Sequence, residues 1–166
     1  AWSAVSGANG YTLQQYKSGK WTTIASTTST RKHTVSSLKA GTAYKFRVRA
    51  YKTIDGTKCC SAWTNLTAST SPAKVTLSSV KSGKSKQLTV KWQTVTGSGY
   101  QIQYSTSSKF TSSKKVTVAK SSTTSKTISK LTGGKKYYVR IRAYKTVGST
   151  KYYGAWSSTK YATTKK

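Results

Sequence analysis

Residues 34–53 read TVSSLKAGTAYKFRVRAYKT, and residues 127–146 read TISKLTGGKKYYVRIRAYKT. The second stretch repeats the first at an offset of 93 residues (127 − 34), and Trp63 returns as Trp156 at the same offset. Upstream landmarks such as Trp2, which returns as Trp92, repeat at slightly smaller offsets, as expected when loops of unequal length join corresponding strands. The chain is therefore predicted to contain one structural unit twice.

Each copy alternates apolar and cationic side chains with a period of two residues. The apolar sets are Tyr44, Phe46, Val48 and Ala50 in the first copy, and Tyr137, Val139, Ile141 and Ala143 in the second. This alternation is typical of antiparallel strands that bury one face, so each set is predicted to fill its own interior. Asp55-Gly56 and Gly148-Ser149 follow these stretches and favour tight hairpin turns.

The order of these landmarks resembles that of fibronectin type III modules. Each copy places a Trp early, then Gly-Tyr-x-Leu/Ile-Gln, and then Leu-x-x-Gly-x-x-Tyr before the arginine-containing stretch. The resemblance covers essentially the whole chain, twice, and implies an all-β fold of two tandem immunoglobulin-like β-sandwiches. It also implies that Tyr44 and Tyr137 are tyrosine corners, whose hydroxyls bond to upstream backbone. The Lys-, Ser- and Thr-rich style is similar to modules of secreted or cell-surface proteins of Gram-positive gut bacteria of the Clostridia type.

The boundary between the modules is predicted near Pro72, which suits the start of an edge strand. The modules then span residues 1–70 and 71–166. Since the first module begins at Trp2, it is predicted to be N-terminally incomplete and to lack its first strand and the start of its second. Two explanations remain open: the sequence is a fragment of a longer protein, or a neighbour donates a strand to the open edge.

Charge is the most unusual property of the chain. It has 30 Lys and Arg residues, one acid and one His, for a formal charge of +29. A single carboxylate excludes a paired-carboxylate glycosidase site, an EF-hand and a two-metal site. His33 lies in a charged, turn-like stretch and Asp55 at a hairpin tip, where Asp is common for backbone reasons. We therefore expect no enzyme, no metal and no cofactor.

The near absence of acids indicates a polyanionic partner, because self-repulsion on this scale weakens the folded state. In an extracellular setting the candidates are anionic cell-wall polymers such as teichoic acids, anionic host-surface polymers such as mucin sialate or sulfate, anionic polysaccharide and extracellular DNA. Charge spread over both modules, without a recognition helix, gives no support to sequence-specific nucleic-acid binding. No run of about 18 apolar residues is present, so no membrane span is expected.

Four arginines are predicted to face outward beside a strand that bears a tryptophan. They are Arg47 and Arg49 near Trp63, and Arg140 and Arg142 near Trp156. Because guanidinium planes stack well on indole, the arrangement resembles the Arg–Trp ladder of cytokine-receptor modules. The arginines are expected to stiffen the sheets, to bind anions, or both. The anion-binding face would also include Lys45, Lys52, Lys136 and Lys145.

The only two cysteines, Cys59 and Cys60, are adjacent. On a strand they point to opposite faces, so one is expected to face the interior and the other the solvent or the neighbouring module. Three states remain open: free thiols, a crosslink between chains through the exposed thiol, and a strained vicinal disulfide.

The sequence favours a non-catalytic structural, adhesion or spacer pair from an extracellular bacterial protein, joined to other domains of a longer chain. One alternative is a carbohydrate-binding accessory module of a glycan-degrading enzyme. Its candidate platform residues are Trp21, Tyr51, Tyr138, Tyr144 and Tyr161, with Gln14, Gln101 and Gln103 for sugar hydroxyls. Another alternative is self-assembly as the repeat unit of an extracellular filament.

Overall fold

The computed structural model describes residues 1–166, which form thirteen strands and no helix. Residue contacts divide the chain into two units. The first comprises Ala1–Leu38 and Ala43–Ser69, and the second comprises Lys39–Thr42 and Thr70–Lys166. The all-strand composition agrees with the period-two pattern.

The first unit consists of a single five-stranded antiparallel sheet. Its strands are β1 (Gly10–Lys17), β2 (Lys20–Thr27), β3 (Ala43–Ile54), β4 (Thr57–Cys60) and β5 (Thr64–Ser69). The order is β2-β1-β3-β4, and β5 also pairs with β3. Both hairpin turns of this sheet have two left-handed residues, with φ of 46° and 81° at Ser18 and Gly19, and 47° and 74° at Asp55 and Gly56. Such turns match the twist of the paired strands.

The second unit is a two-sheet sandwich. One sheet has the order β10-β7-β6; the other has the order β12-β11-β8-β9, with β13 also paired to β11. The strands are β6 (Leu77–Ser82), β7 (Leu88–Trp92), β8 (Gly99–Ser105), β9 (Lys114–Val118), β10 (Ser125–Ile128), β11 (Lys136–Val147), β12 (Thr150–Tyr153) and β13 (Lys160–Thr163). The first unit has no counterpart of the β10-β7-β6 sheet, so it lacks more than a first strand.

The hydrophobic core lies between the sheets of the second unit. Leu88 and Val90 of one sheet and Val139 and Ile141 of the other are fully buried in a single cluster. In the first unit only Ala50 of the four predicted inward residues is buried; the other three are half-buried. The expectation of two filled interiors is therefore wrong for the first unit, because no second sheet faces β3.

Candidate functional site

The outer face of β11 carries a stack of alternating rings and guanidinium groups. From one end to the other its members are Phe110, Arg140, Trp156, Arg142 and Tyr153. The Arg140 guanidinium carbon lies 4.2 Å from the centre of the Phe110 ring and 4.7 Å from that of Trp156. The Arg142 carbon lies 4.4 Å from Trp156 and 3.9 Å from Tyr153. Each cation is thus held between two aromatic faces. We call this stack the second ladder.

Two glutamines of β8 fix the arginines along the edges of their guanidinium planes. The β8–β11 register places Gln103 opposite Arg140 and Gln101 opposite Arg142. Arg140 Nε donates to Gln103 Oε1 at 2.8 Å. Arg142 Nε and Nη2 both donate to Gln101 Oε1, at 3.1 and 2.8 Å. The amides are neutral, so they orient the guanidinium groups without cancelling their charge.

Burial lowers the pKa of Arg142, the nearby Tyr153 opposes that shift, and the neighbouring Arg140 adds to it. An arginine side chain nevertheless stays protonated in proteins. Arg140 and Arg142 are therefore two fixed, half-buried positive charges held close together on one surface. Their mutual repulsion favours any anion that contacts both.

The first unit repeats the arrangement on the outer face of β3. The Arg47 guanidinium carbon lies between the rings of Trp21 and Trp63, 4.4 and 4.2 Å from their centres, and that of Arg49 lies 4.4 Å from the centre of the Trp63 ring. Arg47 Nε donates to Oε1 of Gln14, its cross-strand neighbour, at 2.8 Å. We call this stack the first ladder.

The first ladder is one ring and one amide shorter than the second. The residue opposite Arg49 is Thr12, where the second unit has Gln101. Cys60 pairs with Tyr51, where the second unit pairs Tyr153 with Tyr144. Arg49 Nε is consequently buried without a hydrogen-bond partner. Arg49 is therefore held by fewer contacts than Arg142, its counterpart in the second ladder.

Of the four predicted lysines, two lie on the ladder faces. Lys136 Nζ lies 4.3 Å from the Tyr161 ring centre, and Lys45 Nζ lies 5.9 Å from that of Tyr16. Lys52 and Lys145 are an odd number of residues from the arginines of their strands, so they project from the opposite side. The proposed anion-binding face therefore omits Lys52 and Lys145.

Tyrosine hydroxyls anchor loops in both units. Tyr137 Oη accepts a hydrogen bond from Thr132 N at 3.1 Å, five residues upstream, which is tyrosine-corner geometry. Tyr44 occupies the matching position in the first unit and is half-buried. A second pair of tyrosines, which the sequence did not predict, does the same: Tyr11 Oη accepts from Val5 N at 2.9 Å, and Tyr100 Oη accepts from Val95 N at 3.2 Å. The Gly-Tyr dipeptide that occurs in both repeats is the sequence feature that could have identified these two tyrosines.

Cys59 and Cys60 are both exposed and free. The expectation that one faces the interior is wrong, because no second sheet covers β4, and the two thiols form no vicinal disulfide. Asp55 is exposed in its turn and His33 is exposed as well. No group of three or more His, Cys, Asp or Glu side chains could hold a metal ion.

The predicted sugar platform is reduced to one exposed ring beside a half-buried one. Tyr161 is 59% exposed, and its ring centre lies 5.9 Å from that of Tyr138. Tyr144 is buried, contrary to expectation, because Tyr153 and Lys151 pack against it. Lys58 lies over the Tyr51 ring at 3.6 Å, and Trp21 stacks on Arg47.

The model of the family described as fibronectin type III domain matches residues 1–58 and 70–160. A two-domain fibronectin type III segment from chicken tenascin aligns with 22% identity and a TM-score of 0.54, covering 96% of this chain and 87% of that one. The FN1–FN3 domains of chicken CNTN1 align with 23% identity and a TM-score of 0.52 over 96% of this chain. The chain spans 55% of the length of that structure. No curated protein matches the chain, and it has no helix able to cross a membrane.

Proposed function

Because the chain belongs to the fibronectin type III family, as two such domains in tandem, we propose that it is a non-catalytic spacer and adhesion segment of an extracellular bacterial protein. Its ladder faces bind anionic surface polymers such as teichoic acids or sulfated and carboxylated glycans. The observation that carries the proposal is that both ladders keep their arginines charged and outward-facing on a chain with one acid among 30 cations.

The ladder arginines are held in fixed positions, whereas the side chains of scattered surface lysines are not. A free lysine or arginine side chain loses rotamer entropy when it is fixed on a ligand. Arg140 and Arg142 are already held by rings and amides, so they lose much of their rotamer entropy on folding and lose little more on binding. The guanidinium N–H groups that the glutamines leave free can donate to the oxygens of phosphate, sulfate and carboxylate groups.

The test is polymer binding measured against salt concentration. The chain is titrated with a sulfated glycan, a phosphodiester polymer such as teichoic acid, a polycarboxylate and a neutral glycan of similar length. We expect the three polyanions to bind, with affinity falling linearly on a log–log plot against salt, because bound counterions are released. Binding that persists at about 1 M salt would reject the proposal.

Neutral-glycan binding is the second candidate, favoured by the exposed Tyr161 ring beside the half-buried Tyr138. Aromatic faces can stack on sugar rings, and such contacts do not depend on ionic strength. This candidate requires salt-independent binding of a neutral glycan that is lost in Tyr161→Ala. If the neutral glycan does not bind the unmodified chain, only the polyanion proposal remains.

A further inference from the structure

The two ladders are extended at both ends by lysines. We call each outward-facing residue of β3 or β11, together with the side chains stacked on it, a rung. In the first unit, Lys58 Nζ lies 3.6 Å from the ring centre of Tyr51, the rung after Arg49. Lys45 lies on the rung before Arg47. Because alternate residues of a strand share a side, four successive rungs of β3 each hold a cation: Lys45, Arg47, Arg49 and Lys58.

The second unit has the same arrangement along β11. Tyr138 and Tyr144 are the rungs on either side of the two arginines. Lys136 Nζ lies 5.9 Å from the ring centre of Tyr138, and Lys151 Nζ, from β12, lies 4.9 Å from that of Tyr144. Four successive rungs of β11 therefore also hold cations: Lys136, Arg140, Arg142 and Lys151. We call these two sets of four the first and second cation rows.

The interval between neighbouring rungs is set by the strand. A strand advances about 3.2–3.4 Å per residue, so rungs two residues apart are separated by about 6.7 Å. The stacked rings enforce a similar interval, because each ring–guanidinium contact takes up about 3.5–4 Å and Trp156 lies between two guanidinium groups. Four rungs therefore span about 20 Å. Each cation row is a linear series of charges with a repeating interval.

An extended phosphodiester polymer can place its own charges at this interval. A polypeptide has three backbone bonds per residue and reaches at most about 3.3–3.6 Å per residue, so the six backbone bonds between the phosphorus atoms of poly(glycerol phosphate) span about 7 Å. A repeat of five bonds spans only about 6 Å, which is too short to reach every rung. A repeat of eight bonds spans about 9.5 Å, and because charged chains repel themselves and extend, it must bend at each step to meet the rungs.

We propose that each cation row binds successive phosphates of an extended phosphodiester polymer whose repeat has six backbone bonds, with poly(glycerol phosphate) as the base-free example. This inference rests on the proposed function, because it assigns a ligand class to the same ladder faces. The second unit contains no carboxylate that could neutralise its row, and the only acid of the chain, Asp55, lies in the turn between β3 and β4. The phosphates therefore replace water and counterions as the partners of the row.

Single-stranded DNA also has six backbone bonds per phosphate, but it fits the rows less well. Proteins that bind single strands stack the bases on free aromatic faces. The indoles between the ladder arginines are already occupied: Trp63 contacts Arg47 and Arg49, and Trp156 contacts the two arginines of the second ladder. Between their arginines the rows therefore offer charges without a platform for bases, which favours a polymer that carries no bases.

The test titrates the unmodified chain with oligomers that contain equal numbers of phosphodiesters joined through ethylene glycol, glycerol or ribitol, which give repeats of five, six and eight backbone bonds. Charge density alone predicts the tightest binding for the ethylene glycol oligomer, whose charges are closest together. Affinity varies with salt to the power of about −0.7 per phosphate contact, so one lost contact costs about fivefold at about 0.1 M salt. We expect the glycerol oligomer to bind at least about fivefold more tightly than either of the others.

A pair of double variants tests which lysines belong to the rows. Lys58→Gln/Lys151→Gln removes the end cation of both rows, whereas Lys52→Gln/Lys145→Gln removes the same charge from the opposite side of the same sheets. We expect the first variant to bind the glycerol oligomer about fivefold more weakly, with a log–log salt slope shallower by about 0.7. The second variant should stay within about twofold of the unmodified chain.

The inference is overturned if affinity rises steadily with charge density across the three oligomers, or if the two double variants lose affinity equally. Either result leaves polyanion binding itself intact, so the proposed function would stand without the matched spacing. A thymidine oligonucleotide with the same number of phosphates is the final comparison, and tighter binding of it than of the glycerol oligomer would identify a single-stranded nucleic acid as the better ligand. If neither the oligomers nor a long sulfated glycan binds, both the inference and the proposed function fail.

Discussion

Replacing Trp156 by Ala should destabilise the second unit by about 3 kcal/mol. Its indole lies between two guanidinium groups at 4.7 and 4.4 Å. Two cation–π contacts at half-buried sites contribute about 1–2 kcal/mol together. Truncation of a fully buried Trp costs about 3–5 kcal/mol, and this indole is only half-buried, so lost packing adds about 1–2 kcal/mol.

Hydrogen exchange of the β11 amides in urea is a suitable assay, since it reports on the second unit alone. Urea is uncharged and leaves the cation–π contacts unscreened, whereas guanidinium chloride would compete with them. Trp63→Ala is the matched control and should affect the β3 amides instead. In a double-mutant cycle, Trp156→Ala and Arg142→Gln should couple by about 0.5–1 kcal/mol. A loss below about 0.5 kcal/mol, or additive effects, would refute the view that the ladder stabilises the sheet.

Three further predictions concern single positions. Thr12→Gln should stabilise the first unit by about 0.5–1.5 kcal/mol in urea unfolding, because it offers Arg49 Nε an acceptor; unchanged or lower stability would contradict this. Tyr137→Phe should cost the second unit about 1 kcal/mol by removing the bond to Thr132, whereas the exposed control Tyr161→Phe should cost less than about 0.5 kcal/mol; equal losses would argue against the corner. Both cysteines should be alkylated by iodoacetamide in the native chain within minutes, as seen by mass spectrometry; a protected thiol would show that β4 is covered.

The strand pattern was predictable because it depends on neighbouring residues only. Alternation along 44–50 and 137–143 identifies both central strands, and the same parity places the arginines outside. The same alternation along the strand places Lys52 and Lys145 on the side opposite the arginines, so it excludes them from the anion-binding face. The prediction that these two lysines share the face of the arginines did not apply this alternation to them.

The detailed ladders could not be predicted, because they depend on register and on loop conformation. Gln103 meets Arg140 only in the observed β8–β11 register. Phe110 lies in a loop with a left-handed φ of 59°, where no periodicity indicates that its ring reaches Arg140. Tyr144 lies on the same side of β11 as the outward-facing arginines, and it is buried only because Tyr153 packs against it. Each of these contacts is set by tertiary structure.

The absence of a whole second sheet from the first unit could not be predicted from the sequence pattern. The repeat shows that a first strand is absent, but residues around Val35 match β10 in sequence and form no strand. A β10-like strand pairs with β7 in the second unit. The first unit has no β7 counterpart, so this segment has no strand to pair with.

The central claim is that polyanions bind to the fixed arginines and not merely to a cationic chain. The direct measurement compares Arg140→Gln/Arg142→Gln with Lys81→Gln/Lys91→Gln, which removes the same charge from the outer face of the β10-β7-β6 sheet. Binding of a sulfated glycan is followed by calorimetry from 50 to about 500 mM salt. We expect the arginine variant to lose at least about tenfold in affinity and to show a log–log salt slope shallower by about two, with the lysine variant close to the unmodified chain. Equal losses in the two variants would contradict the claim, since net charge alone would then account for binding.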